Sequence, residues 1–394
     1  MNLQRIATAL ALTCGFLAPA VAADEGPWHL QALRQSPEAT WGETKDGVQE
    51  VFYAGEPCDG HATRIFAYYA RPKEGDGPFP GVVLVHGGGG KAFADWARQW
   101  ADRGYAALAM DLAGRGADGE RLADAGPDQD DETKFREFAD DELDQTWSYH
   151  AVAAVLRGCS LLTSLDEVDA ERLGIVGISW GGYLTCIAAG IDDRFKAAVS
   201  VYGCGFLAEG SVWQPTLEGL PADGRERWVR NFDPANYLAG VRCPMLFVSG
   251  TNDYAYPLDS LQKSYRLVRE PVSLSIRVKM PHSHPDGWTP KEIGIFIDGV
   301  LKEGRPLASI GPAELRGGRV AARYHSIVPI ARAEVHYAVA DGPWKKRVWQ
   351  SASALAARDT VSVELPNLRP LVYYLSITDE RGAQVCTPHL FLEE

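Results

Sequence analysis

Between residues 48 and 301 the apolar positions follow two patterns that take turns along the chain. Short continuous apolar runs occur at 81–86, 105–111, 174–178, 195–202 and 243–250, the signature of strands buried on both faces of a parallel sheet. Helix-period segments separate them. The stretch 93–103 places Trp96 and Trp100 four residues apart, and from 145 an apolar stripe runs through Trp147, His150, Ala151, Ala154 and Val155. Residues 183–189, 257–269 and 290–301 read as further helices, the last with Pro290 in its first turn. Before the first buried run, 48–53 and 63–69 alternate as early antiparallel strands do; after the last, 272–280 alternates as a strand, with Leu274, Ile276 and Val278 on one face. Strand-then-helix repetition of this kind predicts a mostly parallel, doubly wound α/β sheet.

Two other stretches carry different patterns. Residues 114–144 are rich in Asp and Glu and poor in apolar residues, which predicts a solvated excursion over the surface. Residues 203–230 hold Trp213, Trp228, Pro and Gly, and read as a cap that could line a pocket or pack against the body. Beyond 310 the pattern shortens into strand-like segments at 317–322, 333–339, 347–350, 360–365, 372–378 and 384–392, with turns such as Asp341-Gly342-Pro343 between them. That spacing predicts a small all-β sandwich of immunoglobulin or fibronectin type III kind over 310–394, after a catalytic domain over 24–303. Its Trp344 and Trp349 are expected in the core rather than on a sugar-binding face. The tail is expected to be separable from the chemistry, because every candidate catalytic residue precedes Leu301.

Residues 1–23 change the picture of where the chain works. Arg5, an apolar run at 6–17 and the small-residue frame Ala20-Val21-Ala22 read as a cleaved signal peptide, hence export to the periplasm or the medium. The run is too short to span a membrane, and Cys14 sits in a poor frame for acylation. With 52 acidic against 39 basic side chains in 394 residues, the formal charge of −13 argues against nucleic acid and anionic membrane surfaces as partners. The other six cysteines are scattered without metal-ligand spacing; those at 159, 186 and 243 lie in apolar runs and read as buried thiols. The acidic stretch lacks the pattern of a calcium loop, and no metal or organic cofactor is implied.

The chemistry is carried by residues at the ends of the buried runs. Gly177-Ile178-Ser179-Trp180-Gly181 puts a serine between glycines at a strand-to-helix turn, a nucleophile elbow that also aims the Trp180 N–H at a reacting carbonyl. Run 81–86 ends in four glycines, 87–90, expected to supply a second oxyanion N–H from Gly88 or Gly89. Run 243–250 leads to Asp253, and 272–280 to His282 and His284. The chain order is therefore serine, aspartate, histidine. An imidazole is needed to take the serine proton, and a carboxylate to orient that imidazole. Both His282 and His284 are candidates for the base.

On these residues the chain resembles the α/β-hydrolase superfamily, in the branch of prolyl oligopeptidase-type catalytic domains, dienelactone hydrolases and acetyl xylan esterases; the likeness covers 48–301. Dienelactone hydrolases carry a cysteine nucleophile, from which Ser179 departs, and too little chain precedes the first strand for a prolyl oligopeptidase propeller. Matching the family's strand-Pro-Gly-x-Gly-His ending without a gap selects His282 as the base and leaves His284 a supporting place. The resemblance implies a serine esterase acting on small-molecule or polysaccharide esters such as acetylated xylan. A serine aminopeptidase or acylaminoacyl peptidase is the rival enzyme, and a hydrolase-like binding protein without catalysis is the rival of another class. Oligomeric state is left open.

Overall fold

The computed structural model describes residues 26–393; the expected signal peptide, with Cys14, lies outside them. Nine strands form one sheet: β1 (Ala39–Lys45), β2 (Val48–Ala54), β3 (Arg64–Ala70), β4 (Phe79–Val85), β5 (Ala106–Met110), β6 (Val168–Ile178), β7 (Phe195–Val201), β8 (Met245–Gly250) and β9 (Val272–Arg277). Their order is β1-β2-β3-β5-β4-β6-β7-β8-β9. The β1–β2, β2–β3 and β3–β5 pairs are antiparallel; from β5 to β9 every pair is parallel. β1 was not legible as a strand, because its side chains are almost all exposed and it is held by pairing with β2 alone.

The helices are α1 (Leu30–Leu33), α2 (Ala94–Asp102), α3 (Asp131–Lys134), α4 (Trp147–Thr163), α5 (Trp180–Ile191), α6 (Gln214–Glu218), α7 (Ala222–Phe232), α8 (Leu258–Tyr265), α9 (His284–Trp288) and α10 (Lys291–Leu301). α4 and α5 pack together on one face of the sheet, while α2 and α10 meet on the other through Arg103 and Asp298 (2.5 Å). Because α4 lies between the sheet, α5 and α1, it is buried almost all round rather than along the single predicted stripe. His150 is packed in that helix, and burial lowers its pKa. The sheet order reverses at β4, whose neighbours are β5 and β6, so a crevice opens at the carboxyl ends of the strands there.

The acidic stretch 114–144 corrects the expectation of a merely solvated loop. It folds back through α3, and Gln129, Lys134, Phe135 and Phe138 are buried. Phe135 packs on Trp180 and Trp228, and Phe138 on Phe232, so a few apolar anchors hold a polar segment against the core.

The tail forms two five-stranded sheets. The first comprises β10 (Ser309–Ile310), β11 (Glu314–Arg316), β12 (Arg319–His325), β15 (Leu355–Ala357) and β16 (Thr360–Glu364). The second comprises β13 (Ile330–Val339), β14 (Gln350–Ser353), β17 (Leu371–Asp379), β18 (Gln384–Cys386) and β19 (Leu390–Leu392). Val320 and Val361 of one meet Val335, Leu375 and Ile377 of the other in a shared core. Of the segment expected as a strand at 347–350, only Gln350 is in a strand, the first residue of β14; 347–349 are irregular and follow a 3₁₀ turn at Trp344–Lys346.

This tail does not stand apart from the main sheet. Trp344, Trp349, Val372, Tyr374 and Cys386 belong to the same hydrophobic core as the nine-stranded sheet and its helices. The Ile276 carbonyl of β9 accepts from the Tyr374 hydroxyl (3.0 Å) and the Gln384 carboxamide (2.8 Å), and the Ile276 N–H donates to Cys386 Sγ (3.3 Å). A sheet edge left open would present unpaired backbone groups, and here the tail covers it. All six cysteines among the described residues are free thiols, five of them buried.

Candidate active site

Ser179 lies on the elbow between β6 and α5 with φ 58° and ψ −116°, a conformation that non-glycine residues rarely adopt. The glycines make that strain tolerable. A Cβ at Gly177 would collide with the Gly181 carbonyl, and one at Gly181 with the Val85 carbonyl, so β4, β6 and α5 close on the turn only because both positions lack side chains. The strain lifts the hydroxyl out of the sheet into the crevice.

His282 and Asp253 converge on it from neighbouring strand ends. The His282 Nε2 lies 2.8 Å from Ser179 Oγ, and Nδ1 lies 2.7 Å from Asp253 Oδ2. The other carboxylate oxygen accepts the Ala255 and Tyr256 N–H groups at 2.9 and 2.8 Å, which fixes the carboxylate plane. Tyr202 stacks on the imidazole at 4.2 Å with an interplanar angle of 20°, and its hydroxyl donates to the Pro281 carbonyl (2.6 Å). Like Ser179 it has a positive φ, 66°. An imidazole held this way can take the hydroxyl proton at Nε2 while the carboxylate holds Nδ1–H.

His284 takes a different place, so of the two candidate histidines only His282 bridges the serine and the aspartate. The Nε2 of His284 accepts the Gly87 N–H (2.9 Å), and its ring packs on Phe93. Burial, with His86 and His282 nearby, lowers its pKa to about 4, which keeps it neutral and able to accept. With the Gly87 N–H committed to His284, Gly88 and Gly89 are the glycines of this turn that line the pocket. His86 ties the same turn down, since its Nε2 accepts the Leu112 N–H (2.8 Å) and its Nδ1 meets the Gly87 carbonyl (2.7 Å).

The pocket has a volume of about 500 Å³. The strand-end residues form one wall; Gln129, Asp131 and Lys134 with Trp213 and Thr216 form the other. Lys134 is buried, paired with Asp131 (2.7 Å), and its ammonium sits 4.5 Å over the Trp180 ring. Burial lowers its pKa, the carboxylate opposing. Both polar atoms of the Gln129 side chain are buried without a hydrogen-bond partner. Trp213 lines the pocket as one of the two expected options, whereas Trp228 is core, its indole N–H donating to the Lys134 carbonyl (2.8 Å).

The dienelactone hydrolase family model matches residues 65–277, more than half of the chain. The protein belongs to the dienelactone hydrolase family. Among curated relatives of known name, the acetyl esterase Axe7A of Xylanibacter ruminicola is 25% identical over 240 residues, 58% of this chain. The match spans about half of that relative, 53% of its length. Among solved structures, the acetyl xylan esterase of Paenibacillus sp. R4 superposes with a TM-score of 0.55 at 21% identity, covering 69% of this chain and 92% of that one. A puromycin-hydrolysing peptidase of Mycobacterium tuberculosis gives 0.51 at 22% identity, covering 66% and 40%. These likenesses establish the α/β-hydrolase fold that the motifs at 86–90 and 177–182 suggested.

Sequence reading missed Tyr202, Gln129 and Lys134. Tyr202 closes the buried run 195–202, one position past the end of β7, which was a signal available to it. Gln129 and Lys134 sit in a stretch whose composition reads as solvent.

Proposed function

We propose that the protein is an exported serine hydrolase that cleaves carboxylic esters, with Ser179 as nucleophile, His282 as base and Asp253 as its orienting acid. The observation carrying this reading is the unbroken chain Ser179 Oγ–His282 Nε2 and His282 Nδ1–Asp253 Oδ2, at 2.8 and 2.7 Å. In the forward step Oγ attacks the ester carbonyl as its proton passes to Nε2; the carbonyl oxygen, now negative, is met by the Trp180 N–H and an N–H of Gly88 or Gly89. The tetrahedral intermediate collapses as the imidazolium gives its proton to the departing alcohol. Water then attacks the acyl-enzyme by the same route, releasing the acid and restoring the serine.

The substrate class we favour is an acyl ester of a hydroxyl-rich alcohol, such as an acetylated polysaccharide. Its support is the polar second wall, where Gln129, Asp131, Lys134 and Thr216 line the pocket. An aminopeptidase would need a free carboxylate to grip an amine. Asp131 is paired with Lys134, and Asp130 accepts the Thr133 N–H at 2.6 Å. The two-sheet tail is, on this proposal, of immunoglobulin or fibronectin type III kind. The test is purified protein against p-nitrophenyl acetate, acetylated xylan and aminoacyl anilides. Ester turnover with little anilide turnover is expected; anilide cleavage alone would reverse the assignment, and no turnover with any of them would favour a binding protein.

A further inference from the structure

Asn252 stands immediately before Asp253, and its carboxamide is bound entirely by neighbours. Its Nδ2 donates into three carbonyls of the tail's turn, those of Trp344 (3.2 Å), Lys345 (3.3 Å) and Arg347 (2.8 Å). Its Oδ1 accepts the Thr251 hydroxyl (2.9 Å), and Thr251 Oγ1 in turn accepts the Lys279 N–H (3.0 Å), three residues before His282. One continuous chain of hydrogen bonds therefore runs from the tail, through the loop bearing the acid, to the loop bearing the base. The turn itself is anchored. The Trp344 indole donates to Asp259 (2.6 Å), and the Arg347 guanidinium lies 3.8 Å over the Trp344 ring.

Resting on the proposed triad, we infer that Asn252 is a positioning residue through which the tail turn at 344–347 holds Asp253 and His282 in register. Loops at strand ends are the mobile parts of such a fold, and Tyr254 beside the acid is 56% exposed, so the sheet alone leaves this loop lightly held. Displacements of about 1 Å in a catalytic group cost on the order of a hundredfold in rate. On this account the tail is a working part of the active site rather than an appendage.

The test uses the full-length protein. Asn252→Asp keeps the shape and the Thr251 contact but turns an oxygen toward three carbonyls; Asn252→Ala removes the contacts outright. Both are expected to lower kcat on p-nitrophenyl acetate about tenfold to a hundredfold with KM within about twofold, Asn252→Asp the more. The rate of organophosphorus labelling at Ser179 should fall in parallel, and the low-field proton resonance of the His282–Asp253 hydrogen bond should weaken or move. Val361→Ala, in the tail's own core, is the control for lost stability: its melting temperature should fall while kcat stays within about twofold. Should Asn252→Asp not fold, Asn252→Ala decides. Unchanged kcat and resonance in the folded Asn252 variant, or a kcat loss in Val361→Ala that tracks melting temperature, overturns the inference. Wild-type protein that is not labelled at Ser179 overturns the triad as well; a labelled wild type with unaffected Asn252 variants overturns the positioning role alone.

Discussion

The two walls of the pocket are held by different physics. On one wall every functional group stands at the end of a buried strand, and its position is set by backbone. Ser179 is fixed by a strained elbow, and Asp253 by two amides just past β8. On the other wall Gln129 and Lys134 belong to a polar excursion, held by aromatic anchors such as Phe135 and by one buried ammonium. The first arrangement is held by the sheet ladder and, at the acid, by the contacts of Asn252 with the tail turn. The second can change its side chains with no strand disturbed, so chemistry is expected on the first wall and substrate choice on the second.

The sharpest way to break that division is at the elbow. Ser179→Ala should abolish turnover by on the order of 10⁶-fold, the scale seen when a triad nucleophile is removed, with the far-ultraviolet circular dichroism unchanged. An organophosphorus ester should label Ser179 alone, read by mass spectrometry of digested protein; labelling elsewhere would refute the assignment of the nucleophile. His282→Ala should fall to nearly the same level, since the hydroxyl then has no proton acceptor.

His284→Ala belongs one step lower. It removes the acceptor for the Gly87 N–H, loosening the glycine turn without taking a group from the triad. Deleting an oxyanion donor outright costs roughly 10²- to 10³-fold, so an indirect disturbance should cost about tenfold to a hundredfold, measured as kcat/KM. Losses of equal size in His282→Ala and His284→Ala would erase the distinction that the geometry draws between them.

The same contrast explains what could be read from the chain. Residues 81–86, 174–178 and 243–250 announce their strands by unbroken apolar runs, and the special residue follows each run within three positions. Their meaning is local. Position 282 was selected over 284 by resemblance to the family's strand-Pro-Gly-x-Gly-His ending, and the structure places it between Ser179 and Asp253. Lys134 was illegible because its burial depends on Trp180 and Trp147, distant in sequence. The tail's grip on Asn252 was illegible for a similar reason. It is made by backbone carbonyls at 344, 345 and 347, which carry no side-chain signature. β1 was missed because a strand exposed along its length has no apolar pattern to show.

Acid should test the rigid wall through stability. His284 in the catalytic region and His336 in the tail both have pKa values lowered to about 4 from 6.5, chiefly by burial. Each is neutral when folded, whereas the unfolded chain binds a proton below about 6.5. Their contribution is therefore present in full above that pH and is lost as pH falls from about 6.5 through about 4. Each can supply at most about 3 kcal/mol over that window. The melting temperature should fall across it, and His336→Asn, which keeps polar atoms for Ser351 and Ser376, should flatten part of the slope. A melting temperature constant from pH 7 to 4 would contradict the account.

The smallest effect concerns the ion pair on the adaptable wall, and its sign is informative. The Lys134 side chain is 4% exposed while that of Asp131 is 59% exposed, so the two partners do not share the cost of burial equally. Lys134→Met fills nearly the same space, keeps contact with the Trp180 ring and strands only a carboxylate that water already reaches. Its stability should change by less than about 1 kcal/mol, because a neutral side chain has no charge to desolvate and the carboxylate left behind is solvated. Asp131→Asn leaves the ammonium buried beside two tryptophans with its main compensating charge gone, and should be the more destabilising substitution although it alters the more exposed residue. Burial already lowers the Lys134 pKa, and without Asp131 opposing it the fall should deepen. The loss in Asp131→Asn should therefore shrink at high pH, where the amine sheds its proton. Urea denaturation of the two variants at pH 7 and pH 9 measures both differences. If Lys134→Met proves the costlier at both pH values, the lysine is held by its charge rather than by its stem, and the adaptable wall is as fixed as the other.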